Sequence, residues 1–137
     1  MIVLVDTGAL FAAVEEADTW HAPMKAWFES SRDDLIVPLT VVQETAHFIG
    51  SHRGARAESE FLRSLLREDL TLEALEAQDV ERAATLVKRY ADFPLGFVDA
   101  SIVAVAERLD VISLLTTDRR HFGVIRPAHC ERLRLLP

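Results

Sequence analysis

Short apolar runs of strand length alternate with longer segments of helical periodicity, and this alternation restricts the fold more than any other feature of the sequence. The runs are Ile2 to Val5, Leu35 to Val37, Leu70 to Leu75, Val111 to Thr116 and a terminal run near 132 to 136. Strands separated by helices need crossover connections, which join parallel strands. The predicted fold class is therefore α/β, a three-layer α/β/α sandwich with a central, mostly parallel sheet.

Segments of helical periodicity connect these runs. Apolar residues recur every three or four positions after Ala9, after Asp18, over 41 to 49, around 61 to 66, over 77 to 92 and over 97 to 109. Asp18 is a typical N-cap for the second helix, and Gly50 or Gly54 is expected to end the third. The segment TDRRHFG, residues 117 to 123, is predicted to form a turn.

Length and composition fit one domain over residues 1–137. Half of the residues are apolar, and 5 Gly and 5 Pro are too few for a disordered or loop-rich chain. No apolar stretch approaches the roughly 18 residues of a membrane helix, and no basic segment typical of a secretory signal precedes the first run. The single cysteine, Cys130, is typical of a reducing compartment. We therefore predict a cytoplasmic protein without a membrane segment.

Two aspartates follow apolar strands. Asp6 comes directly after the first run, and Asp118 follows the run that ends at Thr116. Each is explained equally well as a helix N-cap, because Asp accepts hydrogen bonds from the free N–H groups of a first helical turn. In open parallel sheets, however, ligands bind beyond the carboxyl ends of the strands. If these two strands are neighbours, both carboxylates lie at the same edge of the sheet.

Two further acids lie on predicted helices. Asp99 shares a helical face with the apolar Ile102 and Val103. A buried charge destabilises a fold unless it is paired, hydrogen-bonded or bound to metal. Glu44 lies at the edge of an apolar stripe. The simpler alternatives are a first-turn acid favoured by the helix dipole for Asp99 and a solvated side chain for Glu44.

Together the four acids indicate a metal site. Mg²⁺ and Mn²⁺ prefer oxygen ligands, and no Cys or His cluster competes for them in this chain. Carboxylates that lie close together cannot all ionise unless a cation compensates their charges. A metal with few protein ligands lowers the pKa of a bound water and neutralises charge on a phosphodiester. The predicted chemistry is hydrolytic phosphoryl transfer.

Net charge does not decide whether the partner is a nucleic acid. The value of −7 weighs against a polyanion, but four metal-bound carboxylates would account for more than half of that excess.

Other phosphate and nucleophile motifs are absent: there is no Gly-x-x-x-x-Gly-Lys loop, no Gly-x-Gly-x-x-Gly turn and no nucleophile elbow.

With these acids the chain resembles a PIN-domain ribonuclease of the VapC toxin type. The resemblance covers the whole chain and rests on four segments: VLVDTGAL (3–10), PLTVVQET (38–45), YADFPLGFVDASIVAVAERL (90–109) and LLTTDRRHF (114–122). It implies a Rossmann-like sheet and a metal-dependent endoribonuclease, usually a homodimer. It also implies a VapB-type antitoxin whose tail occupies the active-site groove.

The resemblance also implies roles for individual residues. Metal-binding and catalytic roles fall to four acids: Asp6, Glu44, Asp99 and Asp118. Thr116 resembles the hydroxyl residue that braces this site, and Thr7 matches the family's usual Asp-Thr or Asp-Ser pair. Gly8 departs from the family, which often has a small polar residue at that position.

RNA contacts are expected from Arg119 and Arg120, with a solvated surface role as the alternative for each. Asp92 is expected to be a turn or helix-end residue rather than a ligand. Two other functions remain open. One is a non-catalytic PIN-like module that binds metal and a protein partner. The other is a nuclease directed at DNA, which lacks the 2′-hydroxyl of RNA.

Overall fold

A computed structural model of all 137 residues shows a five-stranded sheet in which every neighbouring pair of strands is parallel. The strands are β1 (Ile2–Val5), β2 (Asp34–Pro38), β3 (Leu70–Glu73), β4 (Ser113–Leu115) and β5 (Arg134–Leu136). Their order across the sheet is β3-β2-β1-β4-β5, so β1 is the central strand.

Six helices join the strands and cover the sheet. They are α1 (Thr7–Val14), α2 (His21–Ser30), α3 (Leu39–Ser64), α4 (Ala77–Arg89), α5 (Phe97–Leu109) and α6 (Arg119–Val124). Helix α1 packs against α2 and α3, and α4 packs against α5. The predicted three-layer α/β/α class is confirmed. None of the helices combines the length and the apolar character that a membrane span requires.

Strands β1 and β4 lie side by side in the core. Val3, Leu4 and Val5 have no solvent exposure, and Leu4 and Val5 pair with Leu114 and Leu115. A strand buried on both faces is expected to be almost entirely apolar, which is the pattern of both strands apart from Ser113 at the start of β4. Because the strands are parallel and in register, the residues that follow Val5 and Leu115 emerge at the same edge of the sheet.

Helix α5 is fixed against the core and against its neighbours. Every residue from 100 to 106 is buried. Near its C-terminus, the Arg108 Nε lies 3.0 Å from both carboxylate oxygens of Asp79 on α4, and its Nη2 donates to Glu73 of β3 at 2.9 Å. Breaking such a largely buried pair is strongly destabilising, so the network holds α5 in one position on α4 and β3.

Two local predictions from the sequence are wrong. The segment 117 to 123 does not form a turn, since most of it belongs to α6. Asp118 caps this helix and accepts a hydrogen bond from the His121 N–H at 2.9 Å, which satisfies a free donor of the first turn. Asp18 is not the N-cap of α2, which is Trp20; it accepts the Trp20 N–H at 2.8 Å in the preceding turn.

Helix α3 bends at Gly54, one of the two positions at which a break was predicted. Gly54 has φ 84° and ψ 176°, a conformation that is essentially restricted to glycine.

Gly54→Ala is expected to lower the free energy of unfolding by about 1–3 kcal/mol in a urea titration. Gly123→Ala is the control, because it lies in α6 with open space around it. Equal midpoints for both variants would contradict a requirement for glycine at the bend.

Candidate active site

Asp6 is held rigidly at the end of β1. Its side chain is only 4% exposed. Oδ1 accepts the N–H of Thr7 at 2.6 Å, which makes Asp6 the N-cap of α1, and Oδ2 accepts the hydroxyl of Thr116 at 2.7 Å. The capping role that the sequence allowed is therefore present, and it orients the carboxylate from both sides.

Thr116 links the two aspartates at the strand ends. Its buried hydroxyl donates to Asp6 and accepts the N–H of Asp118 at 2.9 Å. Asp118 is further held by His121, whose Nδ1 lies 2.8 Å from Oδ2. Thr116 thus fixes the carboxylate of Asp6 relative to the backbone of Asp118.

Helices α3 and α5 bring the other two acids to the same place. Glu44 lies on α3, and Asp99 lies in the first turn of α5. All four carboxylates border one cavity of about 410 Å³. Its lining consists of Asp6, Thr7, Gly8, Phe11, Glu44, Phe48, His52, Asp99, Thr117 and Asp118. Acids that are distant in the sequence therefore meet at the carboxyl edge of the sheet.

The pKa values of Asp6 and Asp99 are both raised in this cavity. Burial raises the pKa of Asp6 to about 6, and the charges of Asp118 and Glu44 add to this, against the hydrogen bonds from Thr116 and Thr7. Burial raises the pKa of Asp99 to about 7, with further increases from the charges of Asp6, Asp118 and Glu44. The cavity therefore holds more negative charge than it stabilises by itself.

The donor set fits a hard divalent cation. Carboxylate and hydroxyl oxygens are the ligands of Mg²⁺ and Mn²⁺, and a cation would relieve the repulsion among the acids. Thr7 belongs to the cavity lining, and its buried Oγ1 has no hydrogen-bond partner in the protein. In the present arrangement no three Asp, Glu, His or Cys side chains are close enough to hold a metal alone. Binding therefore requires bridging water or inward rotation of the partly buried Glu44 and Asp99.

The family model of the PIN domain matches residues 3–126, a span that contains all four acids and the elements that carry them. The chain belongs to the PIN-domain family. Ribonuclease VapC26 of Mycobacterium tuberculosis is 35% identical to it over 135 residues, which cover 98% of this chain and 100% of that protein. The predicted resemblance to VapC-type PIN domains is confirmed.

Solved structures share this PIN fold. The sarcin–ricin loop cleaving toxin VapC20 of Mycobacterium tuberculosis has a TM-score of 0.80 at 22% identity, with 86% of this chain and 91% of that chain covered. VapBC2 of Rickettsia felis, bound to a fragment of promoter DNA, has a TM-score of 0.71 at 15% identity, with 100% of both chains covered. A toxin–antitoxin complex from Klebsiella pneumoniae has a TM-score of 0.68 at 18% identity, with 98% and 96% covered. At these identities the likeness concerns the fold.

Arg119 and Arg120 lie outside the lining of the cavity in this PIN domain. The Arg119 guanidinium lies 5.4 Å from the centroid of the Trp20 ring, and that of Arg120 lies 5.3 Å from the centroid of the Phe93 ring. Stacking of this kind restricts the arginine side chains while leaving them exposed. Their contact with RNA stays a prediction. Asp92 is exposed and does not border the cavity.

Reasoning from the sequence missed part of the cavity wall. The Phe11 and Phe48 rings meet edge to face at 6.3 Å, and the His52 ring lies 5.8 Å from that of Phe11. Phe48 and His52 follow Glu44 by one and two helical turns, so helical spacing was a usable signal for both. Thr117 carried no such signal, because its position depends on the contact of the β4–α6 connection with Gly8 of α1.

Proposed function

We propose that this PIN domain is a metal-dependent endoribonuclease and the toxin of a VapBC-type toxin–antitoxin module. Its reaction would be hydrolysis of phosphodiester bonds in structured RNA. The observation that carries the proposal is the convergence of Asp6, Glu44, Asp99 and Asp118 on one cavity. The curated relative with 35% identity is itself a ribonuclease of this type.

The site separates fixed acids from adjustable ones. The carboxylate of Asp6 is oriented by Thr116 and that of Asp118 by His121, so the two acids provide a rigid base for a cation. Glu44 and Asp99 are only partly buried and are placed to close on a ligand from the helices. A cation held by such fixed groups would need little reorganisation as negative charge develops on the phosphate.

The four carboxylates would hold Mg²⁺ or Mn²⁺, directly or through water. A bound ion of this kind supplies a water of lowered pKa and neutralises charge on the phosphodiester. In such a hydrolysis a water oxygen would form the new bond to phosphorus while the bond to the 3′-oxygen breaks, and the leaving 3′-oxygen would take up a proton. The products implied by the family resemblance are a 5′-phosphate and a 3′-hydroxyl.

Cleavage assays with matched polymers test this proposal. The purified protein is incubated with a structured RNA and with a DNA of the same sequence, each with Mg²⁺, with Mn²⁺ or with EDTA. We expect cleavage of the RNA with either metal and loss of cleavage with EDTA, because the acids alone supply no cation. Cleavage that persists in EDTA would contradict the metal mechanism, and cleavage of DNA alone would favour the DNA-directed alternative.

A VapB-type antitoxin is the proposed protein partner. Toxin–antitoxin complexes are among the solved structures that share the fold. A cytoplasmic location, where RNA and antitoxin would meet the protein, and a homodimer are parts of the same proposal. A short adjacent gene for a small DNA-binding protein would support the partner assignment.

A further inference from the structure

Gly8 and Thr117 are packed against each other beside the acids. A Cβ atom placed on Gly8 would overlap the Oγ1 of Thr117, and it would lie 3.5 Å from the Thr117 Cβ and 3.7 Å from Oδ2 of Asp6. The hydroxyl of Thr117 therefore occupies the space that a side chain at position 8 would take. The absence of a side chain at position 8 leaves room for this hydroxyl, and the backbone conformation does not call for glycine there, since Gly8 lies within α1.

The two adjacent threonines of the β4–α6 connection have different surroundings. The hydroxyl of Thr116 is fully buried and is used twice inside the protein, toward Asp6 and toward the N–H of Asp118. The side chain of Thr117 is partly exposed and borders the cavity. Only Thr117 therefore presents its hydroxyl to a molecule that enters the cavity.

Side-chain hydrogen-bond donors are scarce in this cavity: besides two threonines its lining holds only His52, whose Nδ1 lies 2.7 Å from the Phe48 carbonyl oxygen. Ionised carboxylates only accept hydrogen bonds, and so do the non-bridging oxygens of a phosphodiester. The only hydroxyl groups in the lining belong to Thr7 and Thr117, and that of Thr7 is buried. A substrate phosphate that enters this cavity needs a hydrogen-bond donor on the side that faces solvent. Thr117 is partly exposed on that side.

We propose that Thr117 is a substrate-positioning residue whose hydroxyl donates a hydrogen bond to a non-bridging oxygen of the scissile RNA phosphate, and that Gly8 leaves the room for it. This inference rests on the proposed ribonuclease function. Thr117 adds to the site a role that the four acids cannot fill, because they cannot donate when ionised.

Removal of the hydroxyl is the first test. Thr117→Ala and Thr117→Val are expected to lower kcat/KM for RNA cleavage by about 10- to 100-fold, the range for a hydrogen bond to a charged group. Thr117→Ser is expected to retain cleavage. Melting temperatures of all three should stay near that of the wild type. Thr85→Ala, an exposed threonine on α4, is the control for loss of a surface hydroxyl.

Moving the hydroxyl across the contact is the second test. In Thr117→Ala, the further change Gly8→Ser places a hydroxyl from α1 near the vacated position, and we expect it to restore most of the lost activity. Gly8→Ala in the same background adds a methyl group but no hydroxyl and is expected to restore nothing. In the wild-type background, Gly8→Ala displaces Thr117 and is expected to reduce cleavage.

The outcomes separate this inference from the proposed function. A wild-type protein that cleaves no RNA would contradict the proposed function itself. A wild-type protein that cleaves RNA, with Thr117→Ala and Thr117→Val equally active, would overturn the role of Thr117 alone. The role of Thr117 would also be overturned if Gly8→Ser restored no more activity than Gly8→Ala in the Thr117→Ala background. The missing hydroxyl would then not explain the loss of activity.

Discussion

Asp6→Asn and Asp99→Asn are each expected to reduce the rate of RNA cleavage by about 10³-fold. Each change removes a negative charge and one oxygen ligand from the proposed metal site. A metal contributes several kcal/mol to transition-state stabilisation. Each tenfold change in rate corresponds to about 1.4 kcal/mol, so loss of the metal is expected to have an effect of this size. The measurement is the single-turnover rate with Mg²⁺ at saturating enzyme. Asp92→Asn is the matched control, because Asp92 is an exposed aspartate outside the cavity.

The same variants separate catalysis from binding. Cleavage that survives both substitutions would contradict the assignment of the acids. Growth arrest on expression of Asp99→Asn, with no RNA cleavage by the purified variant, would favour the non-catalytic module that holds metal and a protein partner. Asp6 is the harder of the two to replace, because its Oδ1 also caps α1. A melting curve is therefore needed beside each rate.

The folded protein is expected to lose about 3 kcal/mol of stability when the pH is raised from about 5 to about 8 in EDTA. Asp6 and Asp99 have pKa values of about 6 and about 7 in the fold, against an ordinary value of 3.8. At a pH between the ordinary pKa and the raised pKa of these groups, the folded chain binds more protons than the unfolded chain. The free energy of unfolding therefore falls as the pH rises. In this expected loss of stability the contribution of Asp99 is reduced, because Asp99 is partly exposed and solvent screens its charge.

Thermal denaturation at the two pH values measures this effect, with an expected decrease in Tm of about 10 °C. Asp99→Asn should remove about half of the decrease, whereas Asp92→Asn should leave it unchanged. Saturating Mg²⁺ at the higher pH should restore the Tm of the wild type more than that of Asp99→Asn. A Tm that rises with pH in EDTA would contradict the raised pKa values of Asp6 and Asp99. A decrease in Tm that is the same in Asp99→Asn as in the wild type would contradict them as well.

Local patterns in the sequence were sufficient for most of the architecture. The continuous apolar run of β1 predicted a strand buried on both faces, and the periodicity of residues 97 to 109 predicted α5 with its observed bounds. The prediction for 117 to 123 was wrong, because six helical residues are too few to show a period and the cap at Asp118 decides their conformation.

The sequence by itself determined the four acids, the strand ends and helices that carry them, and the family. It left open whether β1 and β4 are neighbours, and only the strand order, with Thr116 between the two aspartates, brings Asp6 and Asp118 together. The aromatic wall and the contact of Gly8 with Thr117 were also decided by tertiary structure. The physical reason is that periodicity and capping act over a few residues, whereas the cavity is formed by side chains whose proximity depends on packing across the sheet.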